Sequence, residues 1–180
     1  MEIKIRLNDH KYRYDVYQMF NIYFALDELK FVDDGEYIIN IEENKITFAF
    51  NGYYKESLIG ENIKEDIKRL VFESLKDITG EEHPWGILVG IRPSKIALKY
   101  LNEGKSNEEI VEIFKEKHLA AREKAELCIE VAKAEESFVN TDEKKIAIYV
   151  GMAFCPTRCF YCSFAANPIM GNKKMVNPYL

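Results

Sequence analysis

The chain has 180 residues and a formal net charge of −5, with 47% hydrophobic and 31% charged residues. This composition is typical of a folded globular protein and excludes a largely disordered or collagen-like chain. The acidic balance argues against a general nucleic-acid binder. The sequence starts without an apolar signal segment, and no apolar run reaches the roughly 20 residues that a membrane helix needs. We therefore expect a cytoplasmic protein without a membrane anchor.

Residues 1–82 have the patterns of a small α+β domain with the element order βαββα. A strand, a helix, two hairpin strands and a second helix are expected over residues 2–7, 10–29, 36–41, 45–54 and 62–79. The first helix is rich in aromatic residues, so a strand in its first half stays open. The second is the clearest, because its apolar residues recur at spacings of three and four and Gly80 follows it.

Residues 83–143 are predicted to be a connecting turn followed by three helices. The run Trp85–Lys95 contains the only tryptophan together with glycine and proline. We interpret it as an ordered turn that docks one part of the chain on another, because a loose linker would be richer in polar residues. The helices are expected near residues 93–102, 106–117 and 120–138. Ser106 and Glu109 fit a capping box at the start of the second helix.

Residues 140–180 differ from the rest of the chain, with five basic and two acidic side chains and three of the four cysteines. The β-branched run Lys145–Val150 predicts a strand buried on both faces, as in a parallel sheet. Directly after it, Cys155, Cys159 and Cys162 form a Cys-x3-Cys-x2-Cys loop. These three closely spaced cysteines therefore follow directly after a predicted buried strand.

Three thiolates this close together favour a soft metal centre. Iron–sulfur clusters are held by cysteine thiolates, normally four of them. With three, one iron keeps no protein ligand, and an open coordination position is where a substrate or cosubstrate binds.

Other interpretations of the cysteines stay open at this point. A structural zinc site would need a fourth ligand from His118, Cys128 or elsewhere. A disulfide and unligated structural cysteines are further alternatives. Cys128 lies in a predicted helix among apolar residues and is expected to be a core residue. His83 and His118 are expected at the surface, and the aromatic residues of 10–29 in the core.

With an aromatic residue before the third cysteine, this spacing resembles the signature of the radical S-adenosylmethionine superfamily. The wider run Tyr149–Cys162 resembles the oxygen-independent coproporphyrinogen III oxidase group. The run Trp85–Lys95 is similar to the HemZ-like, or coproporphyrinogen dehydrogenase, branch of that group. Gly151 stands where the better-known branch has histidine, and Phe164 stands where it has a further cysteine. Both departures favour the dehydrogenase branch.

The resemblance implies that Cys155, Cys159 and Cys162 ligate a [4Fe–4S] cluster whose open iron binds S-adenosylmethionine. Tyr149 matches the tyrosine near the sulfonium, and Tyr161 matches the aromatic residue beside the adenosyl part. Cleavage of the cosubstrate would give a 5′-deoxyadenosyl radical. That radical takes a hydrogen from a propionate of coproporphyrinogen III, and loss of carbon dioxide leaves a vinyl group. From spacing alone, an ordinary strand aromatic is the simpler interpretation of Tyr149.

The fold class implied for the whole chain is α+β. It has an N-terminal layer, a helical connector and, over residues 144–180, the first strand and cluster loop of an incomplete radical S-adenosylmethionine (β/α) barrel. A full barrel has roughly 250 residues, and only 18 residues follow Cys162. We therefore expect the N-terminal part of a longer enzyme that is inactive by itself.

The function that the resemblance implies is oxygen-independent oxidation of coproporphyrinogen III in haem biosynthesis. One alternative is a related radical protein with another task, such as haem carriage or another substrate. A second is a non-enzymatic module that binds zinc or a partner. The sequence does not identify the electron donor.

Overall fold

The computed structural model describes residues 2–138, 146, 148–160, 162–164 and 166–179. The chain divides into two compact units, residues 1–139 and residues 140–180. Within the described residues the fold is mixed α+β, with one five-stranded sheet and six α-helices. The division into three regions at 82/83 and 143/144 stays a prediction.

The first unit contains the sheet, whose strands lie in the order β2–β1–β3–β4–β5. The strands are β1 (Ile3–Leu7), β2 (Leu29–Phe31), β3 (Tyr37–Ile41), β4 (Lys45–Phe50) and β5 (Tyr53–Leu58). β1 pairs in parallel with β2 and β3, whereas β3, β4 and β5 pair antiparallel. Ile3, Ile5 and Leu7 are buried and the residues between them are not, as the strand period predicts.

Two helices, α1 (Arg13–Tyr23) and α2 (Ile63–Thr79), pack against each other and form one core with the inward residues of the sheet. Phe20 and Leu75 are fully buried in this core. Gly80 ends α2 in the left-handed conformation, with φ 71°, which glycine adopts without steric cost. The predicted amphipathic helix is confirmed.

Two sequence predictions in this unit are wrong. The helix predicted over residues 10–29 is a 3₁₀ turn and α1, after which the chain is extended at Phe24 and forms β2. The strand predicted over residues 45–54 is divided at Asn51 and Gly52, whose φ angles are 46° and 84°. Positive φ at both central residues is the geometry of the tight hairpin turn that an Asn-Gly pair favours. The hairpin therefore has an additional strand, β5.

Three helices form a second core cluster in the same unit: α3 (Pro93–Asn102), α4 (Asn107–His118) and α5 (Arg122–Glu135). The predicted capping box is confirmed. The Glu109 N–H donates to the Ser106 hydroxyl at 3.3 Å, and the Ser106 N–H donates to the Glu109 carboxylate at 2.8 Å. The described helices include none with the length and apolar character needed to cross a bilayer.

The two histidines expected at the surface are partly buried instead. The ring of His83 packs edge-on against Tyr23 at 4.5 Å between centroids, and that of His118 packs against Phe114 at 5.7 Å. Both residues lie where the turn after α2 meets the end of α4. A helix end that would face solvent in isolation is covered there by the docking turn.

The second unit contains β6 (Phe154–Cys155), β7 (Asn167–Pro168) and α6 (Ile169–Tyr179), which is kinked at Met170 and Gly171. The strand predicted over 145–150 is wrong for the residues described there. Residues 146 and 148–150 have no strand structure and are exposed. A β-branched run becomes a buried strand only when neighbouring strands supply hydrogen bonds and apolar cover. No described strand lies beside this run.

Candidate metal centre

The cysteine loop of the second unit is closed by two short paired strands. β6, which contains Cys155, pairs in parallel with β7. The backbone N–H of Asn167 also donates to the carbonyl oxygen of Ala153 at 2.8 Å. The loop that carries Cys159 and Cys162 therefore leaves and returns at one place.

Within the loop, a tight turn connects the second and third cysteines. The backbone N–H of Cys162 donates to the carbonyl oxygen of Cys159 at 3.0 Å. Cys155 and Cys162 are half-buried, Cys159 is exposed, and all four cysteines of the chain are free thiols. The disulfide alternative therefore has no support in this structure.

An open cavity of about 350 Å³ lies beside the loop, and Cys155, Cys162 and Tyr149 border it. The structure thus brings together three of the residues predicted for the site. Cys159 does not line this cavity, and Tyr161 lies outside the described residues. The Tyr149 residue is 92% exposed, so its side chain is accessible to a ligand.

The chemistry of the donor set fits an iron–sulfur cluster. Among the residues that the structure describes, no three His, Cys, Asp or Glu side chains converge on one metal ion. In a cubane cluster each thiolate bonds to a different iron, so the three sulfur atoms need to surround the cluster rather than meet at one ion. Three free thiols on one short loop match this requirement, and they would leave one iron for a further ligand.

The charged side chains described in the second unit are Arg158, Lys173 and Lys174, all exposed, and no Asp or Glu is among its described residues. Arg158 lies inside the cysteine loop. Cations at these described positions favour anionic ligands, although solvent and salt screen exposed charges.

Cys128 and His118, the sequence candidates for a fourth zinc ligand, belong to the first unit. Cys128 is 3% exposed in the core of α3, α4 and α5, and burial raises the pKa of its thiol. The expectation of a core residue is confirmed. Burial also lowers the pKa of the half-buried His118 imidazole.

Tyr179, which borders the same cavity, was not predicted from the sequence. Its hydroxyl donates to the carbonyl oxygen of Gly151 at 3.0 Å, and its ring lies edge-on to Phe154 at 5.3 Å between centroids. No motif marks this tyrosine. Its separation from Gly151 by 28 residues of sequence gave no sign of the contact.

The chain is similar to the oxygen-independent coproporphyrinogen-III oxidase-like protein HemZ of Bacillus subtilis (strain 168), with 35% identity over 121 residues. This match supports a HemZ-like family assignment. The resemblance seen in the sequence is thereby confirmed at the level of the family. The chain spans about a quarter of that relative, since the aligned residues are 66% of this chain and 24% of the relative. No protein-family model and no solved structure matches the chain.

Proposed function

We propose that this chain is part of an oxygen-independent coproporphyrinogen III oxidase of the dehydrogenase branch. Such an enzyme converts propionate side chains into vinyl groups during porphyrin synthesis. The similarity to a HemZ protein supports the family. The observation that carries the proposal is the cavity bordered by Cys155, Cys162 and Tyr149, beside a loop with the cluster spacing.

In this proposal Cys155, Cys159 and Cys162 hold a [4Fe–4S] cluster and leave one iron for S-adenosylmethionine. When bound, these two groups supply the radical chemistry that removes a hydrogen atom from an unactivated carbon. Tyr149 offers an exposed aromatic face at the same cavity, and Tyr161 is proposed to lie beside the adenosyl part. The chain's role is to hold and orient these groups.

The described charges of the second unit agree with a substrate that carries carboxylates. Its described charged side chains are all cations, and Arg158 lies within the loop itself. Propionate groups are anionic at neutral pH, so this surface attracts them over a distance of about one Debye length. The electron donor and the remaining substrate contacts belong to the proposal for the whole protein.

Anaerobic reconstitution with iron and sulfide tests the proposal. We expect about four irons per chain, together with the broad visible absorption of thiolate-ligated iron. Cys159→Ser should lower the iron content, whereas Cys128→Ser, a change in the other unit, should leave it at the wild-type level. A chain that binds zinc in place of iron, or that shows no visible absorption, would contradict the proposal.

The reaction itself is tested with the whole protein. Incubation with coproporphyrinogen III, S-adenosylmethionine and a chemical reductant should release carbon dioxide. An intact cluster without release of carbon dioxide would instead indicate a related radical protein with another substrate, or a haem carrier.

A further inference from the structure

Two contacts connect α6 to the wall of the cysteine cavity. The Tyr179 hydroxyl donates to the Gly151 carbonyl oxygen at 3.0 Å, and the Tyr179 ring packs on Phe154, which is 7% exposed. Phe154 directly precedes Cys155 in β6. Tyr179 therefore holds the backbone on both sides of residues 152 and 153, immediately before the first cysteine.

The Tyr149 ring also lies close to Gly151. A Cβ atom added to Gly151 would lie 2.8 Å from Cε1 of the Tyr149 ring, a separation that packed side chains do not tolerate. The ring edge thus rests where any other residue at position 151 would place its side chain. Because Cε1 is near the end of a flexible side chain, a substitution would move the ring rather than the backbone.

We propose that Tyr179 and Gly151 are positioning residues for Tyr149. Tyr179 holds the Gly151 backbone by its hydrogen bond, and Gly151 leaves the space in which the Tyr149 ring lies at the cavity beside Cys155 and Cys162. The inference rests on the proposed function for the ligand that the ring meets. It explains why a residue with a side chain at position 151 would require a different arrangement of the site.

The contact itself is tested by NMR on the 180-residue chain without metal. The wild type should show nuclear Overhauser effects between the Tyr149 ring protons and the Gly151 α-protons. These should weaken in Tyr179→Phe, which keeps the ring on Phe154 but removes the hydroxyl. In Gly151→Ala the Tyr149 ring resonances should shift, while the thermal midpoint changes little.

Gly60→Ala is the matched control for the glycine substitution. Its Cβ would lie 3.5 Å from the Asp66 carboxylate, an ordinary van der Waals separation. This variant should leave the Tyr149 resonances unchanged. Wild-type effects between Tyr149 and Gly151 that persist unchanged in both Tyr179→Phe and Gly151→Ala would overturn the positioning inference.

The consequence for the site is tested on the reconstituted, reduced protein by electron paramagnetic resonance during titration with S-adenosylmethionine. Gly151→Ala should raise the concentration needed for half of the spectral change by about three- to tenfold. In a Tyr149→Ala background the same substitution should add nothing, because its effect passes through that ring. An equal increase in both backgrounds would overturn the inference.

The two proposals fail in different ways. A wild-type chain that forms no cluster would overturn the proposed function, and the NMR contacts would still decide the positions of Tyr149, Gly151 and Tyr179. A wild-type cluster that responds to S-adenosylmethionine equally in all variants would overturn the positioning inference alone.

Discussion

The backbone N–H of Ile87 donates a hydrogen bond of 3.0 Å to the carbonyl oxygen of His118. Ile87 belongs to the core under the sheet, whereas His118 ends α4 in the cluster of three helices. A second bond, from the Ala121 N–H to the Pro84 carbonyl oxygen at 2.9 Å, runs in the opposite direction. These bonds join the two hydrophobic clusters of the first unit, in agreement with a docking turn.

Gly86→Ala should destabilise the first unit by about 3 kcal/mol, in part by overpacking and in part through φ strain. Gly86 has φ 55°, and an added Cβ would overlap the His118 carbonyl oxygen and lie 2.5 Å from the Leu119 carbonyl carbon. Both obstacles are backbone atoms that cannot rotate away. The free energy of unfolding in urea measures the loss.

Gly104→Ala is the control for this substitution. Gly104 also has a positive φ, 79°, but an added Cβ would meet no atom within 4 Å. We expect Gly104→Ala to lower the free energy of unfolding by about 1 kcal/mol, because only the positive φ disfavours alanine there. Equal losses in Gly86→Ala and Gly104→Ala would show that the contact with α4 contributes nothing.

Arg69→Gln should lower the free energy of unfolding by about 1 kcal/mol, because a cation stabilises the negative end of a helix dipole. The Arg69 guanidinium, on α2, donates to the carbonyl oxygens of Glu116 and, at 3.1 Å, Lys117 in the last turn of α4. Urea denaturation at low and high salt measures the effect.

Arg69→Lys keeps the charge and should retain part of that stability, with a stronger dependence on salt. Lys99→Gln removes a cation from an exposed ion pair with Glu103 and should change stability by less than about 0.5 kcal/mol. If Arg69→Gln is no more destabilising than Lys99→Gln, the helix-end contact is not a source of stability.

The first unit should lose stability in mild acid through His118. Burial lowers the pKa of this imidazole from its ordinary value of 6.5. The negative charge of Glu65 raises this pKa, and the positive charges of Lys117 and Arg69 lower it. The fold therefore favours the neutral ring. The contribution of the neutral His118 ring to stability is fully present above the ordinary pKa. It is lost as the pH falls toward and through the lowered pKa.

Urea midpoints at about pH 8 and about pH 5 measure this dependence. The wild type should lose more stability between them than His118→Gln, which cannot take up the proton. His10→Gln, at an exposed position, should keep the wild-type dependence. A His118→Gln variant with the wild-type pH dependence would rule out this histidine as the origin.

The four thiols of the metal-free chain should react with iodoacetamide in the order of their exposure. Cys159, which is exposed, should be modified first, and the half-buried Cys155 and Cys162 should follow. Cys128 should be slowest, since it is 3% exposed and burial raises its pKa. Mass spectrometry of the peptides gives the rates, and rates in urea should become similar. Early modification of native Cys128 would contradict its place in the core.

Local patterns were sufficient for several elements of the first unit. The alternation in β1, the apolar spacing of α2 and the capping box of α4 depend on neighbours within a few residues. The missed strand β2 is different, because it exists through its pairing with β1, where Leu29 lies opposite Ile3. Pairing between residues so far apart leaves no periodic pattern in the sequence. The helix predicted from residue 10 was therefore extended to residue 29, into β2.

The same distinction applies to the candidate site. The spacing of Cys155, Cys159 and Cys162 indicated a metal centre because eight residues of chain keep the three thiols near one another in any fold. Which thiols border the cavity, and how Tyr179 reaches Gly151 across 28 residues, depend on the pairing of β6 with β7 and on α6. Those contacts form only when segments distant in the sequence pack together, and the sequence alone does not show which segments do so.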